Sequence, residues 1–98
     1  MSATIVRVYI TEAEKLLAPV FAYLHDEAKV KGVTVFRGIT GFGQSGTIHS
    51  STLIDLIFDL PLVIEFFDET DKVNAIIEYL RTLVEPGHIV SWEAKVYE

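Results

Sequence analysis

No cysteine occurs anywhere in the 98 residues. Its absence removes disulfide bonds, thiolate metal ligands and a cysteine nucleophile together, and suits a reducing compartment. Basic residues are scarce as well: eight Lys and Arg stand against fourteen Asp and Glu, a formal net charge of −6. They form no cluster, so the field of the molecule repels nucleic acid and anionic membrane. Long apolar runs are also missing. The greasiest stretch, Leu53 to Phe67, carries Asp55, Asp59 and Glu65 and is too short and too acidic to span a bilayer. With no basic leader ahead of an apolar segment, the chain is expected in the cytoplasm.

What is plentiful is apolar surface. Half of the residues are hydrophobic and the mean hydropathy is +0.36, high for a chain long enough for only one small core. A single domain over residues 1–98 is expected, with part of its apolar surface buried between subunits.

Thr4 to Ile10 alternates, Thr4, Val6, Val8 and Ile10 on one side and Ile5, Arg7 and Tyr9 on the other, the period of a strand. Thr11 to Glu14 has capping-box spacing, and Pro19 suits the first position of a helix that begins near Ala18 and runs to Gly32 on Leu17, Val20, Phe21, Leu24 and Ala28. Val33, Val35 and Ile39 predict a second strand with Gly38 as a bulge. Leu53 to Phe58 fits a helical turn and a strand equally. Leu60 to Phe67 predicts a third strand, and Asp68 to Asp71 supply a cap and acidic first turn. Val73, Ile76, Ile77, Leu80, Leu83 and Val84 form a helical stripe stopped by Pro86-Gly87. Ile89 to Tyr97 completes the set, with Val90, Trp92, Ala94 and Val96 on one face.

The order is βαβ twice over. This predicts an α+β, ferredoxin-like βαββαβ fold with a four-stranded antiparallel sheet and two helices on one face. Ile5, Arg7, Tyr9, Val63, Glu65, Phe67, Glu93, Lys95 and Tyr97 are expected on the other face, a mixture suited to neighbouring subunits. Glu65 and Glu93 read there as ion-pair partners of Arg7 or Lys95.

Four of the six glycines, Gly38, Gly41, Gly43 and Gly46, lie within nine positions. Gly41 to Gly46 spells G-x-G-x-x-G, with Glu65 where a ribose-binding acid would stand. A dinucleotide fold, however, needs a helix opening inside the run and more strands than this chain holds. Two readings remain open: a hairpin connection, or a concave nest of amides for a phosphate or carboxylate with Gln44, Ser45 and Thr47 as donors. His25, His49 and His88 lack metal-ligand spacing. No serine is tied by spacing to a base and an orienting acid, so no enzymatic role and no cofactor are expected.

The strings V-R-V-Y-I at 6–10, R-G-I-T-G-F-G at 37–43, I-H at 48–49, D-L-P at 59–61 and V-I-E at 63–65 together resemble the PII superfamily of signalling proteins. The likeness covers nearly the whole chain and is nearest to its uncharacterised PII-like branch, a domain of unknown function. It implies a homotrimer with sheets facing a central axis and ligand pockets between subunits. It assigns Gly41, Phe42, Gly43 and Gln44 to the base of an effector-contacting loop, and Glu85 to Ile89 with Gly87 to the segment that wraps nucleotide phosphates. The candidate ligand residues are therefore Arg37, Gly41, Phe42, Gly43, Gln44, Ser45, Gly46, Gly87 and His88. PII proteins carry basic residues in that wrapping segment and the strand after it. Here V-E-P-G-H-I-V-S-W-E-A-K offers only His88 and Lys95, which argues against a triphosphate. The loop also lacks the tyrosine that PII proteins present for nucleotidylation.

The function expected from these signs is a PII-like regulator. It binds a small anionic ligand, with a nucleotide as one candidate, and offers its 41–58 loop to a protein partner such as a transporter or enzyme. The alternatives are a structural or interaction trimer, and a divalent-metal-binding trimer resembling the cation-tolerance proteins.

Overall fold

The computed structural model describes residues 2–43, 48–50 and 59–98. The strands are β1 (Ser2–Thr11), β2 (Gly32–Arg37), β3 (Thr40–Phe42), β4 (Ile48–Ser50), β5 (Pro61–Glu69) and β6 (Ile89–Lys95), and the helices are α1 (Leu17–Ala22) and α2 (Thr70–Leu80). The main sheet has the order β2-β5-β1-β6 with every neighbour antiparallel, and β3 and β4 form a separate hairpin. This is the expected ferredoxin-like architecture.

The sheet forms around β1 and β5, which pair without interruption from Ala3↔Glu69 to Thr11↔Pro61. Val6, Val8 and Ile10 of β1 and Leu62, Ile64 and Phe66 of β5 are buried on one face. Against them pack Val20 and Leu24 from the first helical segment and Val73, Ile76, Leu80 and Val84 from the second. Each such side chain, fully withdrawn from water, contributes about 1.5–3 kcal/mol. The stripe read along α2 is thus the stripe that meets the sheet.

Several local expectations change. The Thr11 cap is present, with Glu14 Oε1 accepting the Thr11 N–H at 2.9 Å. It opens a 3-10 turn, Glu12–Glu14, and the regular helix starts at Leu17, within one residue of the expected start, which puts Pro19 third in the helix rather than first. That helix widens over Tyr23–Glu27 into a π-helical turn, the Ala28 N–H reaching back five residues to the Tyr23 carbonyl at 2.9 Å. It stops at Lys29, whose φ of 51° is left-handed, a residue other than glycine filling the usual glycine role. The second strand ends at Arg37 rather than Ile39. Gly38 instead gives its N–H to the Pro61 carbonyl at 2.7 Å, and a side chain there would meet the proline ring at 2.8 Å. Leu53 to Phe58 lie outside the described residues.

The largest correction concerns β6. Its register sets Trp92 opposite Ile5 and Val90 opposite Arg7, while Glu93 faces Thr4 and Lys95 faces Ser2. Residues directly opposite share a face, so the open face carries Val90, Trp92 and Ala94, not Glu93 and Lys95. Tyr97 lies beyond the strand. The physical reason is Ile89, which pairs with Val8 and packs on the core, turning its odd-numbered partners to the helix side. Of the two expected ion pairs on the open face, Arg7 with Glu65 forms, Nε to Oε1 at 2.8 Å, and the guanidinium also lies 5.6 Å from the Trp92 ring centre.

Asp68, expected as a helix cap, belongs instead to the end of β5 and is buried. It accepts the Lys31 and Glu69 N–H groups at 3.2 and 2.7 Å and meets Lys72 Nζ at 2.9 Å. Burial by itself raises the pKa of this carboxyl, and the Lys72 and backbone hydrogen bonds outweigh it, so the net shift is downward. A depressed folded-state value means that Asp68 adds stability above the unfolded carboxylate range near ~4, and that this is lost as pH falls through the folded value. Asp68→Asn is expected to lower unfolding stability in urea at pH 7 by about 1–3 kcal/mol. It should also flatten the acid limb of the stability profile relative to the parent chain.

Candidate functional site

The first group of candidate residues surrounds the exit of β2. Arg37 is the last residue of β2, opposite Leu62 of β5, and its Nε lies 2.6 Å from Glu12 Oε1. Gly41 and Phe42 belong to β3, paired with His49 and Ile48 of β4. Gly41 rests beside Pro61, where a Cβ would sit 3.5 Å from its ring, and Gly43 faces open space. Ile39 and Phe42 are both three-quarters exposed. None of Gly38, Gly41 and Gly43 has a left-handed φ, so these three do not form the alternating backbone of an anion nest. Gln44, Ser45, Gly46 and Thr47 lie outside the described residues.

The second group lies at the other sheet edge. After α2 the chain turns through Gly87, the one described glycine with positive φ, 85°. There it borders a cleft of about 300 Å³ lined by Ile77, Arg81, Val84, Glu85, Pro86, Gly87, Ile89 and Ser91. His88 is held rather than loose. Its Nδ1 meets the Tyr9 carbonyl at 3.2 Å, while its own carbonyl accepts the Tyr9 N–H at 2.9 Å and its N–H reaches the Glu85 carbonyl at 3.3 Å. Since a carbonyl can only accept, Nδ1 carries the proton in that bond, which leaves Nε2 to face Glu85 Oε2 at 4.0 Å.

Arg81 and Ser91 were not among the candidates read from the sequence. Arg81 follows the last turn of α2, and the spacing 77, 81, 84 and 85 puts it on the side of the helix that borders the cleft; that periodicity was the available signal. Its Nη1 pairs with Glu78 Oε1 at 3.1 Å, but both side chains are about two-thirds exposed. Such a pair contributes about 0–1 kcal/mol and exchanges readily for another anion. Lys95, offered as a phosphate contact, lies seven residues along β6 from His88, roughly 23 Å at the rise of a strand. It belongs to the far end of the sheet.

The two groups lie at the same end of the sheet. Thr11 pairs with Pro61, Arg37 with Leu62, and the Tyr9 N–H with the His88 carbonyl. They are nevertheless on opposite edges, because β2 and β6 are separated by β5 and β1. Three interstrand spacings put them about 14 Å apart. One chain holds both groups without bringing them into a single pocket.

Among the described residues no three His, Cys, Asp or Glu side chains come together to hold a metal ion. No helix in them is long and apolar enough to cross a membrane.

A four-stranded antiparallel sheet in this order, with both helices on one face and a glycine turn leading into the last strand, is the PII-like form of the ferredoxin-like fold. The chain belongs to the DUF190 family, described as "Uncharacterized ACR, COG1993", whose model matches residues 3–96. It is 33% identical over 81 residues to a UPF0166 protein of Aquifex aeolicus, covering 79% of this chain and 77% of that one. Among solved structures it is similar to CPII, a nitrogen regulatory PII-like protein from Thiomonas intermedia K12 bound to ADP, AMP and bicarbonate. The TM-score there is 0.75 at 19% identity, covering 98% of this chain and 89% of that one. It is similar also to the divalent cation tolerance protein CutA1 of Thermus thermophilus, with a TM-score of 0.63 at 14% identity, covering 98% and 85%.

The two glycines of the candidate set that differ most in geometry predict different mutational costs. Gly87→Ala forces a Cβ into a left-handed backbone and should lower stability in urea by about 1–2 kcal/mol. Gly43→Ala, where nothing lies within 4 Å, should change it by less than about 0.5 kcal/mol.

Proposed function

We propose that this chain is a trimeric PII-like regulator that binds a small anionic ligand, of the order of a nucleoside mono- or diphosphate, at the boundary between subunits. The observation that carries the reading is the division of the candidate residues between the two sheet edges. β2 runs parallel to β1 and β6 antiparallel to it, so an edge-to-edge neighbour can bring β2 of one copy against β6 of the next. The Arg37 end then meets the Gly87 cleft. Arg81, Ser91 and the backbone around Gly87 supply the phosphate-facing donors on one side, and Arg37 with the β3–β4 hairpin supplies the other.

The open sheet face supports assembly. Tyr9, Phe36, Val90 and Trp92 are each 41–47% exposed on it, around an Arg7–Glu65 pair that already satisfies its charges. The hydrogen bond that Arg7 donates to Glu65, 2.8 Å long, holds the guanidinium further toward its charged form. A contiguous apolar face of this kind, rimmed by paired charge, fits a second copy of the same chain. The cytoplasm suits such a regulator, and the exposed Ile39 and Phe42 of the hairpin are the surface it would offer to a protein partner, by analogy a transporter or enzyme.

Sedimentation should find a trimer, and a thermal-shift panel of AMP, ADP, ATP and bicarbonate should find stabilisation by the nucleotides with fewer phosphates, about 2.7 kcal/mol at one hundred times the Kd. Arg81→Ala should weaken AMP roughly tenfold. A trimer that responds to none of these ligands would leave a structural or interaction role. A response to divalent cations alone would favour a metal-binding trimer.

A further inference from the structure

One ion pair joins the two ends of the excursion between β2 and β5. Glu12 stands on the 3-10 turn that follows β1. The same turn grips the approach to β5: the Glu12 N–H reaches the Leu60 carbonyl at 3.0 Å, and the Ala13 N–H reaches Asp59 Oδ1 at 3.1 Å. Through its carboxylate the turn also holds Arg37, where the chain leaves β2, with 2.6 Å between Glu12 Oε1 and Arg37 Nε.

The contact is unevenly built. Glu12 Oε1 is buried, yet among the described residues no hydrogen bond is aligned on it, so charge rather than a directed N–H···O bond holds the pair. A buried carboxylate oxygen without an aligned donor is poorly compensated for the water it lost. Arg37, in contrast, is 64% exposed, and a guanidinium offers five donors in a planar fork suited to phosphate or carboxylate. The cation is accessible to an incoming anion, while the internal anion that occupies it stands on a turn tied to Leu60 and Asp59.

We infer that Glu12 is a built-in competitor for Arg37: its carboxylate occupies the guanidinium in the unliganded chain, and a phosphate-bearing ligand must displace it to take the second half of the site. This rests on the reading of the site given above, and adds to it a regulatory residue outside the candidate set. Binding is thereby coupled to the base of the excursion, because releasing Arg37 breaks the one described ion pair that ties the exit of β2 to the turn holding Asp59 and Leu60. Glu12 acts through Arg37 and touches no ligand itself.

The test is a double-mutant cycle on the full chain, with AMP and inorganic phosphate as probes and calorimetry as the readout. Glu12→Gln keeps the shape and removes the charge, and should tighten AMP and phosphate about two- to tenfold. Arg37→Gln should weaken both. The double variant should bind like Arg37→Gln alone, because the effect of Glu12 passes through that guanidinium. Equal affinity of the parent and Glu12→Gln would overturn the inference while leaving the ligand reading standing. A gain from Glu12→Gln that persists in the Arg37→Gln background would also overturn it, since the effect would then be one of net charge. Absence of binding by all four forms would remove the ligand reading and the inference together.

Discussion

The register of β1 against β5 is the constraint on which the rest of the molecule depends. Because side chains alternate with a period of two, pairing Val6 with Phe66 and Val8 with Ile64 commits Val6, Val8, Ile10, Leu62, Ile64 and Phe66 to one face and Ile5, Arg7, Tyr9, Val63, Glu65 and Phe67 to the other. A slip of one residue would exchange the two sets. It would put Arg7 and Glu65 under the helices, where two charges would have to be desolvated at several kcal/mol each. The same register ends β1 beside Pro61, and so sets the 3-10 turn against Leu60 and Asp59 and the Gly38 amide against the Pro61 carbonyl. The base of the excursion and the start of β6 come to one end of the sheet as a result.

Polar groups are used sparingly and locally in this arrangement. Asp68 is the buried carboxylate that closes the far end of β5, with two backbone N–H groups and Lys72 around it. Arg7 and Glu65 occupy the middle of the open face, paired with one another and roofed by Trp92. Glu12 and Arg37 stand at the excursion. Asp68 and Arg7 are satisfied by directed bonds, whereas among the described residues none is aligned on Glu12 Oε1. The less directed contact is therefore the one suited to exchange, and the other two are suited to holding shape.

Much of the fold was legible in the chain. Alternation marked β1 and β5, the 3–4 spacing marked α2, and Pro86-Gly87 marked its end. Less of the candidate site was legible. Gly87 stood out as a helix stop, and its positive φ follows from that role. Arg81 did not stand out, since a lysine or arginine late in an amphipathic helix reads as solvent-facing unless the packing direction of the helix is known. Gly38, just ahead of the glycine-rich motif, did not stand out for its own reason either. Gly38 answers to the ring of Pro61, 23 residues away in the chain.

The sequence by itself determined the order of strands and helices, the two unequal faces of β1 and β5, and the membership of nearly every core position, because these follow from local periodicity and the avoidance of buried charge. Only the tertiary structure decided which face of β6 meets the helices. Val90, Trp92 and Ala94 alternate as convincingly as a core strand, and what turns them outward is the pairing of Ile89 with Val8, a contact between residues 81 positions apart. Only the tertiary structure, likewise, separated Arg37 from Gly87 across the width of the sheet. Strand order is a non-local property, so the distance between two edge residues is fixed by which strands come between them and not by any feature of the residues themselves.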